Sequence, residues 1–201
     1  MQRAMQTAIH MFKNHPNLAK IRFIVVPLVH EIMHTCNDMH MDAYELIDKY
    51  SAGKEVCQGL NFDFSMILGS GAPNLWAVHT LTNNSTVLEF YTKLAEKGGE
   101  PTYENVRDVL VDQLVSRLPH DALEPKDDLY ERGLHVMKFL KHFLEKHPVE
   151  GAERIAVVCH SQLIACLTAT GVEGSGASSK LVGFHWAQNG EVYPIETEEL
   201  Y

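Results

Sequence analysis

The chain has 201 residues, of which 45% are hydrophobic and 21% charged, the balance of a globular domain with material for one core. Its net charge of −9 excludes a general nucleic-acid binder, because phosphate backbones select Lys- and Arg-rich faces. An anionic small substrate remains compatible, since a local pocket can be cationic inside an acidic surface. No apolar run approaches a membrane span, so no membrane partner is expected. Cys36, Cys57, Cys159 and Cys166 form no CxxC pair and no signal peptide is present, which together predict a reducing, cytoplasmic setting.

The first predicted element is a helix from Met1 to about Asn14, with Met1, Met5, Ala8, Ile9 and Phe12 on one apolar face. No capping residue precedes its first turn, and this predicts further chain upstream in the natural fold. After His15-Pro16-Asn17, Ile21–Val26 reads as a strand stopped by Pro27. Residues 28–42 carry no clear pattern, and Asp42 is placed to cap a short helix from Ala43 to Tyr50. The stretch from Ser51 to Pro73 looks irregular, with scattered aromatics such as Phe62 and Phe64 and a loop signal at Gly69–Pro73.

A helix is predicted from Asn84 or Ser85 to Lys97, closed by Gly98-Gly99. The next starts after Thr102, carries Val106, Val109, Leu110, Leu114 and Leu118 on one side, and stops at Pro119. Another follows Asp127-Asp128 to Lys146, with Leu134, Met137, Leu140 and Leu144 as its apolar stripe. Arg154–Cys159 is the clearest strand, and it runs through His160-Ser161 into an apolar helix from Gln162 to Thr170. A small-residue loop from Gly171 to Ser179 and short strands around Leu181–Phe184 and Glu191–Ile195 close the chain. Strands separated by long helices, without internal repeats, predict one α/β domain over 1–201 with a mostly parallel sheet.

Three places have the makings of an anion site. His160 stands where a strand meets a helix N-terminus, the usual ligand edge of an open α/β fold. On position alone, gripping a phosphate oxygen and bonding a backbone carbonyl are equally good uses of that imidazole. Arg3 lies in the first turn of a helix and has the fork that binds phosphate with two hydrogen bonds, although a solvated arginine would read the same. Glu31 follows a strand at its carboxyl edge, where a carboxylic acid can protonate a leaving oxygen.

Taken together, Gln2-Arg3-Ala4-Met5-Gln6-Thr7, Pro27-Leu28-Val29-His30-Glu31 and Ile155–Ser161 resemble, in order and spacing, three successive motifs of the histidine phosphatase superfamily, the phosphoglycerate mutase-like proteins. The resemblance runs more loosely through Asn61–Phe64, the central helices and the closing strands, and so covers nearly the whole chain. It implies a three-layer α/β/α fold and phosphomonoester hydrolysis, or phosphate transfer, through a phosphohistidine. By the matched motifs Arg3 and His160 would hold phosphate oxygens, His160 would stabilise the transferring group, and Glu31 would donate a proton to the leaving group. Ser161 and Gln162 stand where members commonly carry glycine, and their backbone N–H groups suit the same phosphate. The substrate would be a phosphorylated small molecule or a phosphoprotein, and neither a metal nor an organic cofactor is implied.

The chain departs from the pattern in one respect that bears on catalysis. The family's nucleophilic histidine lies in an Arg-His-Gly motif on the first strand, and no Arg-His-Gly occurs in this sequence. The expectation is therefore a fold missing its first strand and a phosphatase impaired or inactive as given. The non-enzyme alternative is a binding or structural protein derived from that family, whose exposed sheet edge a protein partner or second copy would cover. A rival chemistry lies in His30-Glu31-Ile32-Met33-His34, a HExxH sequence followed by His40 at metzincin spacing, with Met66 available as a Met-turn. Asn37 occupies the glycine position of that pattern, and about thirty residues precede it where a sheet subdomain is normal, so the zinc protease is the lesser reading.

Overall fold

The computed structural model describes residues 1–116, 123–146 and 155–195. It is mixed α/β, with helices carrying most of the structure and two small sheets of two strands each among the described residues. The predicted extended parallel sheet is thus reduced to one parallel and one antiparallel pair. Among the described residues no helix is long and apolar enough to cross a membrane.

Helix α1 spans Gln2–Phe12 and buries Met5, Ala8 and Ile9, the face that the sequence spacing marks out. Its chain reverses through a short 3₁₀ turn at Leu18–Lys20 into strand β1, Phe23–Ile24. A 3₁₀ turn over Pro27–Val29 then carries the chain into an irregular segment that bears Glu31. Helix α2, Ala43–Lys49, is capped as expected: Asp42 Oδ1 accepts from Tyr44 N at 2.8 Å and Glu45 N at 2.9 Å. Strand β2, Phe62–Asp63, pairs in parallel with β1 in the register Phe23↔Phe62 and Ile24↔Asp63, and Val25 N extends the ladder to Asp63 O at 2.9 Å. The aromatics of this region are not scattered. Phe12, Phe23, Phe62 and Tyr50 follow one another at ring separations of 5.7, 5.8 and 6.2 Å, which seals α1 and α2 against the β1–β2 pair.

After the short α3, Ser65–Leu68, helices α4 (Asn84–Glu96) and α5 (Tyr103–Ser116) pack on each other. Asn83 caps α4 through Ser85 N and Thr86 N, and Gly98 and Gly99 take the left-handed conformation that ends it. Val106, Val109, Leu110 and Leu114 face the core as predicted; Leu118 and the Pro119 stop lie outside the described residues. This larger core also takes in Trp76, Val78 and Phe90.

Helix α6 spans Lys126–Lys146 and packs on α7, Ser161–Thr168. Its buried face shares Met137 with the predicted stripe, leaves Leu140 and Leu144 half-buried, and departs at Leu134. Leu129, Arg132, Gly133, Val136 and Met137 are buried, whereas Leu134 is 46% exposed. The true face contains an arginine and a glycine, so a purely apolar periodicity picks a rotated stripe. Gly133 is where the two helices meet: a Cβ there would sit under 3.0 Å from Cys166 Sγ. The Cys166 thiol in turn donates to Leu129 O at 2.9 Å.

The expected strand over Arg154–Cys159 is not a paired strand in its described part, Ile155–Cys159, because no described segment supplies a ladder partner; Arg154 lies outside the described residues. The predicted loop from Gly171 instead begins with strand β3, Gly171–Glu173, which pairs antiparallel with β4, Lys180–Val182, in the register Val172↔Leu181. The small residues between them are anchored to α6, with Gly176 N donating to Asp127 Oδ2 at 2.8 Å and Asp127 N donating to Ser179 Oγ at 3.1 Å. The last expected strand, Glu191–Ile195, does not form. There Glu191 bonds His185 Nε2 at 2.6 Å and Gln188 N at 2.7 Å, and Tyr193 stacks on the His185 ring.

Candidate functional site

The site forms where the irregular segment after β1 with Glu31 meets the N-terminus of α7 with His160, and the start of α1 brings Arg3 within electrostatic reach of both. His160 Nδ1 lies 3.5 Å from Glu31 Oε2, just longer than a direct hydrogen bond. Both side chains are largely enclosed, His160 being 10% exposed. Its other ring nitrogen, Nε2, is buried with no hydrogen-bond partner. Such a nitrogen is costly to leave without a partner and suits a ligand oxygen.

Local structure aims these groups. His160 is the extended N-cap of α7, its carbonyl accepts from Ile164 N at 3.0 Å, and its side chain does not fold back to cap the helix. The first-turn N–H groups at Ser161 and Gln162 therefore share the end of the helix with the imidazole, and the helix dipole adds positive potential there. Glu31 is fixed at one oxygen by Ile32 N, 3.0 Å from Oε1, which leaves Oε2 for His160.

Burial sets the protonation of the two groups, and nearby charges adjust it. Burial raises the Glu31 carboxyl above its usual range; Asp38 raises it further, against the opposing Ile32 N–H, Arg3 and Arg132. Burial also drives His160 down to about 4, helped by the Met1 amino group and Arg3 and opposed by Asp38. At neutral pH His160 is therefore an uncharged imidazole. Arg3 is exposed but close enough to depress both groups electrostatically. Cys159, beside His160, is pushed up to about 12 by burial, so its thiol stays protonated and is no substitute nucleophile.

One cation was missed in the sequence. Lys126, the first residue of α6, donates to Gln162 Oε1 at 2.5 Å and lies within electrostatic reach of Glu31. Burial lowers its pKa, as expected for an ammonium held against a neutral amide. Among the described residues neither Arg3 nor Lys126 is ion-paired, in a chain of net charge −9. A lysine at a helix N-terminus opposes the helix dipole, and that misplacement was the available signal.

The HExxH constellation does not assemble. Residues 30–34 are not helical. His30 is turned inward, with Nδ1 donating to the Glu31 carbonyl and Nε2 2.7 Å from Thr80 Oγ1. His34 is exposed, His40 donates from Nε2 to Asn74 O at 3.0 Å, and Met66 sits in α3. Among the described residues no group of three or more His, Cys, Asp or Glu side chains is placed to hold a metal. In comparisons with family models, curated proteins and solved structures, nothing matches this chain.

Proposed function

We propose that this chain carries the phosphate-gripping and proton-donating half of a histidine-phosphatase-type site and recognises a phosphomonoester, on a small molecule or a protein. The observation that carries the reading is the Glu31–His160 pair, 3.5 Å apart, with His160 Nε2 buried and partnerless. Arg3 and Lys126 act electrostatically on this site but form no ion pair among the described residues, and His160 heads α7 at its N-terminus. A phosphate dianion satisfies all of these needs at once: it accepts from Arg3, Lys126 and the α7 N–H groups, and it draws a proton onto His160 Nε2. Glu31, whose carboxyl holds its proton more tightly than usual, suits proton donation to a leaving oxygen.

The wider reading is a three-layer α/β/α, phosphoglycerate mutase-like arrangement without its first strand. The parallel β1–β2 pair supports it. Four free cysteines fit a cytoplasmic setting. Because these 201 residues hold no Arg-His-Gly nucleophile, the site binds phosphomonoesters without transferring the phosphoryl group. A p-nitrophenyl phosphate assay tests this directly. The expected result is no turnover above background, with p-nitrophenyl phosphate still competing for the site. Turnover that copurifies with the chain and disappears in His160→Ala would overturn the non-catalytic part.

A further inference from the structure

Adjacent residues of α6 govern both halves of the site. Arg132 is fully buried, and so is its partner Glu124. Its Nε and Nη2 form a fork onto the Glu124 carboxylate at 2.5 and 2.8 Å, and Nη1 donates to two backbone carbonyls, Leu28 O at 2.8 Å and His30 O at 2.9 Å. Those carbonyls belong to the segment that delivers Glu31. The next residue, Gly133, is where α6 meets Cys166 of α7, the helix headed by His160. One rigid helix thus sets the position of the carboxylate segment through Arg132 and of the imidazole-bearing helix through Gly133.

We infer that Arg132, oriented by Glu124, is a positioning residue that fixes the Glu31 segment against α7 and so sets the Glu31–His160 geometry. Geometry and chemistry both call for this role. The irregular segment has no ladder to stiffen it, and carbonyls 28 and 30 are held at one point by a planar group that cannot lose its charge. A buried Arg–Glu pair is a weak device for stability alone, since apolar replacements of the pair are often neutral or better. Spending the remaining donors on a loop beside a titrating pair fits a specificity role. Lysine lacks the fork and cannot reach the Glu124 carboxylate and both carbonyls in the same plane.

The inference rests on the proposed function for its purpose, but its test needs no phosphate. NMR titration of His160 and of the Glu31 carboxyl carbon is compared in the native chain, Arg132→Lys and Glu124→Gln, with His40 as internal reference. His40 bonds Asn74 and packs on Trp76, which separates it by one ring from His30, the residue whose carbonyl Arg132 holds. In both variants the His160 midpoint is expected to rise by about one pH unit, a tenfold change in proton affinity, as the pair separates and hydrates. His40, one ring removed from the perturbed segment, should move much less. The rise is diagnostic for Glu124→Gln, because loss of a negative charge would by itself push His160 down. Folded variants with an unmoved His160, or with His40 moving as far, would overturn the role. If Arg132→Lys fails to fold, the near-isosteric Glu124→Gln carries the test. A failure of the native chain to bind phosphate would remove the proposed function and leave this result standing.

Discussion

Gly133→Ala tests the α6–α7 contact that places His160. A methyl at this position falls under 3.0 Å from Cys166 Sγ, whereas carbon and heavy-atom neighbours settle at about 3.5–4.0 Å. The helices must therefore part by at least about 0.5 Å, or Cys166 must rotate. Rotation breaks the thiol's hydrogen bond to Leu129 O, so neither escape is free. Overpacking of this kind costs about 1–3 kcal/mol, and the gain in helix propensity from Gly to Ala returns about 1 kcal/mol. The net loss is about 0–2 kcal/mol, which for a chain of this size lowers Tm by at most about 8 °C. Urea denaturation of Gly133→Ala, Cys166→Ala and the double variant forms the cycle that isolates the contact. The double variant should recover at least about 1 kcal/mol relative to the sum of the singles. A Gly133→Ala protein more stable than the native chain, with additive behaviour in the cycle, would refute the close approach.

Two further outcomes follow from buried polar groups. Glu124→Ala should cost about 3–5 kcal/mol by leaving a buried guanidinium short of its carboxylate, whereas Glu124→Gln, which keeps an acceptor for the Arg132 fork, should cost less; equal losses measured by urea melts would contradict this. His40 is 8% exposed and burial holds it down at about 4, against an ordinary value of 6.5. Its contribution is fully present above pH 6.5 and is lost as pH falls through about 4, because the unfolded chain takes up the proton first. The amount is on the order of 3 kcal/mol, and His40→Gln should flatten the stability curve over that window. An unchanged slope would mean that His40 is hydrated in solution.

Local chemistry was legible in the sequence wherever one residue acts on its neighbours. Asp42 announces its helix, because a capping side chain reaches only two or three residues along the chain. Glu31 and His160, named from motifs far apart in the chain, lie 3.5 Å from each other, whereas Arg3 reaches them only electrostatically. What stayed hidden depends on distant partners. Ile155–Cys159 has the composition of a strand, but a strand needs a ladder from elsewhere, and composition does not reveal its absence. The α6 stripe was misread because its buried face holds Arg132 and Gly133, an ion and a residue without a side chain, each explained only by a residue on another element. Lys126 was overlooked for the same reason: its partner, Gln162, lies on a different helix.

The most direct test of the central claim is a titration of inorganic phosphate followed through the His160 ring nitrogens. A dianion seated against Nε2 should saturate, raise the His160 midpoint from about 4 by more than about one pH unit, and do so in proportion to occupancy. Arg3→Gln and Lys126→Gln should each weaken the binding about tenfold, the loss of one charge-assisted hydrogen bond. A His160 signal indifferent to phosphate, or binding that neither substitution weakens, would contradict the phosphate site.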